Sequence, residues 1–370
     1  YDSIIIDGNA LNSGVVELTA GTGSSGNIIL GTGASYLDGN GDPVSDILKL
    51  SALGGGNVTI DSTIGQTTPL DGLHVVEANN VTFEKDITIS GDLIIDASGD
   101  IVFNGDLNLT GGGSLIISGA NSVTFHAANS VITLTGTNGG AVGNITIVAD
   151  NLALPVSSSA ATGSGIVTFV PLTQNRAIEV GSPDGGSGSA LEITTAELAL
   201  LGTGWEALVI GYKDSDGTAL AGSGPVLIGG TARGSNLVVV PTEIYGSTVS
   251  VANFASDANK VLQLAGPLSL VALSDISLNN EVVVTGAGND LTVYAETGQI
   301  VQTEAAAAAG AIALTAGTNI QVYVLETAAD IVLTAGVMGS SGAISDNSSA
   351  DVAGTDFNII SSSLVASALS

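Results

Sequence analysis

Short apolar pairs set the rhythm of the chain. Val81-Thr82-Phe83, Ile101-Val102-Phe103, Val123-Thr124-Phe125, Ile145-Thr146-Ile147 and Val167-Thr168-Phe169 each place two large apolar residues around one Thr or Val. Alternation with a period of two is the pattern of a strand buried on one face. The five triplets start 20, 22, 22 and 22 residues apart, and such a recurrence implies one structural unit stacked many times. Asn80, Asp100, Ser122 and Asn144 stand just before the first four triplets, and all are turn formers. Other short strands fill the interval. Ile87-Thr88-Ile89 and Leu93-Ile94-Ile95 follow Val81, with Gly91-Asp92 and Gly99-Asp100 at bends. Leu107-Asn108-Leu109 and Leu115-Ile116-Ile117 follow Ile101, with Gly105-Asp106 and Gly111-Gly112-Gly113 at bends.

A unit of about 20–22 residues with three short strands and three bends has the make-up of one coil of a right-handed parallel β-helix, a β-solenoid. Each strand then pairs with its counterpart in the next coil, about 4.8 Å away. On this reading Phe83, Phe103, Phe125, Ile147 and Phe169 form one inward ladder. Val81, Ile101, Val123, Ile145 and Val167 form a second, and the central residues of the triplets face outward. An antiparallel sandwich built from hairpins is the alternative. Uniform recurrence and three-residue strands favour the coil, because isolated hairpins that short are marginal.

The pattern predicts one continuous solenoid over 1–370. Residues 1–72 form less regular first coils with an acidic loop at 38–46, and 73–170 form regular coils. Coils with longer projecting loops occupy 171–235, with strands expected at 191–193, 198–200, 208–210 and 226–228; regular coils resume over 236–370. The Ala-rich segment 304–309 is read as a small-residue corner, since six residues cannot sustain a helix alone. No polar cap is evident at either end, although a solenoid needs one to stop end-to-end pairing.

Composition narrows the function classes. Only 11% of residues are charged, so Ser, Thr, Asn and Gly must supply most of the outer surface. The net charge of −29, from 35 acids against six Lys and Arg, repels nucleic acid and anionic membrane. It suits a secreted molecule and divalent cations at acidic corners. Cys is absent, which excludes disulfides and thiolate metal sites. No run of 18 or more apolar residues occurs, so no membrane-crossing helix is expected. The chain starts at Tyr1 and shows no signal peptide, and is read as a piece of a longer exported product.

Units such as Gly143-Asn144-Ile145-Thr146-Ile147 and Ala311-Ile312-Ala313-Leu314-Thr315-Ala316-Gly317-Thr318-Asn319-Ile320 resemble the repeats of large bacterial exoproteins of the filamentous haemagglutinin type. They are also similar to autotransporter passenger repeats. The resemblance implies a right-handed parallel β-helix at the cell surface serving adhesion, biofilm or fibre formation. It implies no catalytic residue, because the repeat carries none.

Candidate chemistry is sparse. Asp38, Asn40, Asp42 and Asp46 form D-x-N-x-D-x-x-x-D, whose alternating oxygens could wrap one calcium ion. Pro43 stands where an EF-hand loop has Gly, and Lys49 where it has an acid; a solvated Gly-Asp turn is the competing reading. Asp214 and Asp216 are a second, weaker candidate. Asp86 and Asp106 would stack one coil apart, exposed and hydrated. His74 and His126 are the only histidines, and neither sits in a nucleophile-elbow context. Asn57, Asn80, Asn108, Asn144 and Asn347 each begin an N-x-S/T sequon.

The expected function is therefore an extracellular structural or adhesive protein, not an enzyme, that self-associates end to end into filaments and meets a host-surface or glycan ligand. The alternative is a polysaccharide-active β-helix enzyme, a hydrolase or lyase using paired carboxylates. Its site would fall in the loops at 181–187 and 212–217, near Trp205. The cations Lys49, Lys85, Arg176, Lys213, Arg233 and Lys260 are scattered in sequence, unlike the clusters that bind acidic sugars.

Overall fold

A computed structural model describes residues 2–6, 14–21, 25–39, 46–126, 131–136, 142–154, 161–183, 188–202, 204–254, 259–337, 341–346 and 359–368. The chain is all-β apart from one short helix among these residues. Strands pair in parallel throughout the ladders described below, which excludes the hairpin sandwich and is consistent with a β-solenoid. Antiparallel contacts among the described residues are two isolated bridges, Lys213↔Ala219 and Thr231↔Val261. The chain divides into two compact units, Tyr1–Leu172 with Leu200–Glu206, and Thr173–Ala199 with Ala207–Ser370.

In the first unit, one ladder runs through Asp2–Ile6, Gly26–Leu37, Val58–Ile64, Val81–Phe83, Asp100–Phe103, Leu115–Phe125 and Ile145–Ala153. A second runs through Gly14–Ala20, Asp46–Ala52, Leu70–Ala78, Ile87–Ala97, Leu115–Phe125, Ile145–Ala153 and Ile166–Val170. A third joins Val58–Ile64, Ile87–Ala97, Leu107–Leu109, Ile132–Leu134 and Ala161–Thr162. Long strands serve two ladders by turning a corner. Leu115–Phe125 turns at Gly119, whose φ of 83° lies in the region glycine adopts without steric penalty.

The aromatic column follows from this register. Val81, Ile101 and Val123 pair in succession, as do Phe83, Phe103 and Phe125. Their rings stack with centroids 5.0 and 4.5 Å apart, and all three are buried. The expected five-member ladder stops there. Ile145 pairs with Leu115 and Val167, and Ile147 with Ile117 and Phe169, so these residues belong to the second ladder. The partner of Val123 in the next rung is Leu152, 29 residues on. The triplet spacing stays at 22 while the rung lengthens, so period and register part company.

In the second unit, one ladder holds Ala190–Thr194, Ala177–Ser182, Val226–Ile228, Val249–Val251, Ile276–Leu278, Ile300–Gln302, Ile320–Val322 and Ile344–Asp346. Another holds Leu262–Leu264, Val282–Val284, Ala305–Ala308, Val324–Thr327 and Ile359–Ile360. The third holds Ala207–Ile210, Thr242–Gly246, Leu268–Ala272, Leu291–Ala295, Ile312–Ala316, Asp330–Ala335 and Ser363–Ala368. Along this third ladder successive partners stand from 19 residues apart (Ile312↔Ile331) to 34 (Leu208↔Thr242). A spacing of 20–22 is thus the short end of the range, and corner inserts set the rest.

Two local expectations fail in this unit. Residues 305–308 form a strand rather than a corner, with Ala306 and Ala308 buried between Val282 and Val284 on one side and Leu325 and Thr327 on the other. Ladder pairing overrides the weak strand preference of Ala. Residues 198–200 are helical, not extended, as part of the helix Thr195–Leu200. Its start is a capping box: the Glu197 amide donates to Thr194 Oγ1 at 3.1 Å, and the Thr194 amide donates to Glu197 Oε2 at 2.8 Å.

Candidate functional site

Corner side chains tie each rung to the next. In the first unit the Asn57 amide donates to Asn27 Oδ1 (2.9 Å), the Asn80 amide to Asn57 Oδ1 (3.1 Å) and the Asp100 amide to Asn80 Oδ1 (2.8 Å). A second corner repeats the device through Asp92, Ser114, Asn144 and Ile166. Asp86 and Asp106 belong to a third. The Asp106 amide donates to Asp86 Oδ1, and the Val131 amide to Asp106 Oδ1, both at 2.9 Å. These carboxylates are therefore rung-to-rung acceptors rather than merely hydrated charges. Gln299, Ala311 and Ala343 donate likewise to Asp275, Asp290 and Asn319 in the second unit. This explains why Asn, Asp and Ser precede the strands. It also occupies the side-chain oxygens of the sequon residues Asn57, Asn80 and Asn144.

At the acidic loop, Asp38 and Asp46 are buried and come to one corner. Both Asp38 carboxylate oxygens accept the Thr67 amide at 3.2 Å, and a methyl at Gly39 would lie 2.8 Å from Asp46 Oδ2. A carboxylate offers about four acceptor positions, so the Thr67 contact leaves capacity for a cation. Asn40 and Asp42 lie outside the described residues. Among the described residues no cluster of three or more His, Asp or Glu side chains forms.

The remaining candidates are dispersed. Asp214 and Asp216 close a turn: Asp214 Oδ1 accepts the Ser215 amide, and Asp216 Oδ1 accepts the Thr218 amide and hydroxyl, which holds its carboxyl below the usual range. His74 lies between Lys49 and Ile94 on the second ladder of its unit; burial and then Lys49 push its pKa down. His126 is exposed just after Phe125. Trp205 is buried against Gly163 in the first unit, whereas residues 212–217 belong to the second. Residues 184–187 lie outside the described set.

Cations are mostly engaged. Lys49 pairs with Glu17 at 3.4 Å and Lys85 with Asp61 at 3.8 Å, each across adjacent rungs. Lys213 Nζ donates to Glu243 Oε2 at 2.6 Å, and Tyr245 Oη donates to the same oxygen at 2.6 Å. Burial pushes the Glu243 carboxyl up, but these two donors outweigh it and leave the pKa lowered. Burial and the Glu243 contact push the Tyr245 phenol up.

Two further features bear on function, the first in line with the missing caps and the second not foreseen in the sequence. One is the state of the terminal rungs. On Gly14–Ala20, Val16 and Leu18 pair with the fully buried Leu48 and Leu50 yet remain partly exposed. On Ser363–Ala368, Leu364 pairs with the buried Ile331 yet is 48% exposed, and Val365 is 57% exposed. Inward-facing positions on these rungs thus lack a layer beyond them among the described residues, where Gly14–Ala20 pairs with Asp46–Ala52 and Ser363–Ala368 with Asp330–Ala335, and with no other strand.

The other feature is a polar cleft of about 370 Å³ in the second unit, lined chiefly by Arg233, Asn253, Asn279, Asn280, Glu281 and Glu304. Asn279 and Asn280 stand between the buried Leu278 and Val282, where the chain leaves one ladder for another. Arg233 makes a two-pronged contact with the Glu281 carboxylate, Nη1 to Oε1 at 2.8 Å and Nη2 to Oε2. Asn280 is 6% exposed; its Oδ1 accepts the Glu281 amide (2.9 Å) and its Nδ2 donates to Asn253 Oδ1 (3.0 Å). Asn253 Nδ2 donates to the Lys260 carbonyl at 3.1 Å. No protein-family model, curated protein or solved structure matches this chain.

Proposed function

We propose that the chain is an extracellular structural and adhesive protein, a right-handed β-solenoid of the cell surface whose copies associate end to end into fibres. The terminal rungs carry this reading. Unpaired strand edges template further pairing, and here the edges coincide with partly exposed inward residues, Val16 and Leu18 in the first unit and Leu364 in the second. Pairing these rungs between copies is a head-to-tail contact, the kind that extends rather than closes. No catalytic role is assigned. The cleft carboxylate Glu281 is ion-paired with Arg233. Calcium at Asp38, Asn40, Asp42 and Asp46 is proposed as a local stiffener of the first coils.

Sedimentation across a wide concentration range tests assembly. Species larger than the monomer should grow with concentration, and Leu364→Asp with Val365→Lys should remove them. A monomer at every concentration would defeat the proposal.

A further inference from the structure

We propose that the cleft lined by Asn253, Asn279, Asn280, Arg233 and Glu281 binds a neutral, hydroxyl-rich ligand, namely the end of a glycan chain. Its charge is the first reason. The chain carries 35 acids and six Lys and Arg, yet two of those cations, Arg233 and Lys260, line this cleft with two carboxylates, Glu281 and Glu304. Arg233 is closed onto Glu281 through both terminal nitrogens, so their two charges offset each other within the cleft.

The amides are the second reason. Each carboxamide sets two N–H donors beside an acceptor oxygen with two lone pairs. A vicinal diol, in which every hydroxyl both donates and accepts, matches that pattern. Asn280 and Asn253 are held in place by one bond per polar atom, to Glu281 N, to each other and to the Lys260 carbonyl. Asn280 is the buried anchor, and the half-buried Asn253 keeps capacity for a second bond at each polar atom. Asn279 Oδ1 accepts the Thr303 hydroxyl at 3.3 Å, its backbone amide donates to the Val251 carbonyl at 2.8 Å, and its side-chain Nδ2 has no partner among the described residues. Fixed side chains of this kind bind without the cost of ordering flexible ones.

The wall is the third reason. Most small-molecule sites are largely apolar and measure roughly 300–1,000 Å³. This one falls in the size range, at about 370 Å³, but its apolar member is the buried Val261. An apolar ligand would lose its hydration for nothing. An extended peptide needs a strand edge or side-chain pockets, and the lining offers neither.

Calorimetric titration of the full chain with cellotriose, maltotriose, chitotriose and trigalacturonate tests the site. At least one neutral trisaccharide should bind with a Kd of roughly 1 mM or tighter. Asn279→Ala and Asn253→Ala should each weaken it about tenfold or more, while Asn108→Ala on the first unit leaves it unchanged. Melting curves of all three variants confirm folding. Silence from every neutral sugar, tighter binding of trigalacturonate, or binding insensitive to Asn279→Ala and Asn253→Ala would each overturn the proposal. The sedimentation result above is unaffected by any of these, so the two readings fail separately.

Discussion

Replacing Phe103 by Ala removes a ring held between two others. Phe103 is 1% exposed and stacks on Phe83 at 5.0 Å and on Phe125 at 4.5 Å, with interplanar angles of 12° and 6°. The neighbouring backbones are fixed by the pairs Val81↔Ile101 and Ile101↔Val123, so the hole cannot close by a rung shift. A buried Phe→Ala change costs about 3–5 kcal/mol, more where the site cannot collapse. Each lost aromatic pair is worth about 0.5–1.5 kcal/mol beyond area. Phe103→Ala, losing two pairs, should therefore fall near the top of that range, about 4–5 kcal/mol. Phe125→Ala loses one pair and should cost about 3–4 kcal/mol. Thr124, on the half-buried outer face, should cost no more than about 0.5 kcal/mol on truncation to Ala. Stacked ladders need not unfold as one unit. The assay is therefore denaturant unfolding combined with native-state hydrogen exchange at the amides of 101–103. A cost below about 1 kcal/mol for Phe103→Ala, or an equal cost for Thr124→Ala, would refute the reasoning.

Other expectations follow from single contacts. Donors from Asn121 Nδ2 (2.9 Å) and Ser122 Oγ (2.7 Å) hold the Asp100 carboxyl below its usual range. Its stabilisation is full above the unfolded pKa of about 3.9 and disappears as pH falls through the lower folded value. Asp100→Asn should flatten that acid limb in unfolding curves, and an unaltered limb would rule the contact out as its cause. Thr194→Ala should cost about 1 kcal/mol by removing the cap of the helix Thr195–Leu200, seen as a lower denaturant midpoint for the second unit. A chelator should lower the unfolding temperature, and Asp42→Ala should abolish the difference; identical curves with and without chelator would retire the calcium proposal.

Local pattern carried the strands because burial alternates along each one, as in Asp46–Ala52 and Val58–Ile64. It could not carry the register, which depends on how much chain each corner takes. Ile145-Thr146-Ile147 looks like the next rung after Val123-Thr124-Phe125, yet the intervening rung is long enough to shift it onto another ladder. The helix had a readable signal in Thr194-x-x-Glu197, and the leucines at 198 and 200 masked it by imitating strand alternation. The cleft had almost none. Arg233 and Glu281 stand 48 residues apart, and only the stacking of rungs brings them together. Leu278-Asn279-Asn280-Glu281-Val282, three polar residues between apolar ones, marks the corner but not its partner.

The corner columns also bear on chemical ageing. What a corner position must supply is an acceptor oxygen, and Asn57, Asn80, Asp86, Asp92 and Asp106 all supply it to the amide of the next rung. Hydrolysis of the Asn57 carboxamide to a carboxylate therefore keeps the bond from the Asn80 amide, and strengthens it by making the acceptor charged, whereas the same change at Asn80 would lose the Nδ2 donor to Asn57 Oδ1. The damaging route, in which the following backbone nitrogen attacks the side chain to close a succinimide, is opposed at Asn57. The nitrogen required, that of Val58, is already committed to the carbonyl of Asn80 at 2.9 Å. Deamidation at Asn57 would slowly make an acidic chain more acidic while leaving its acceptor contact to the next rung in place.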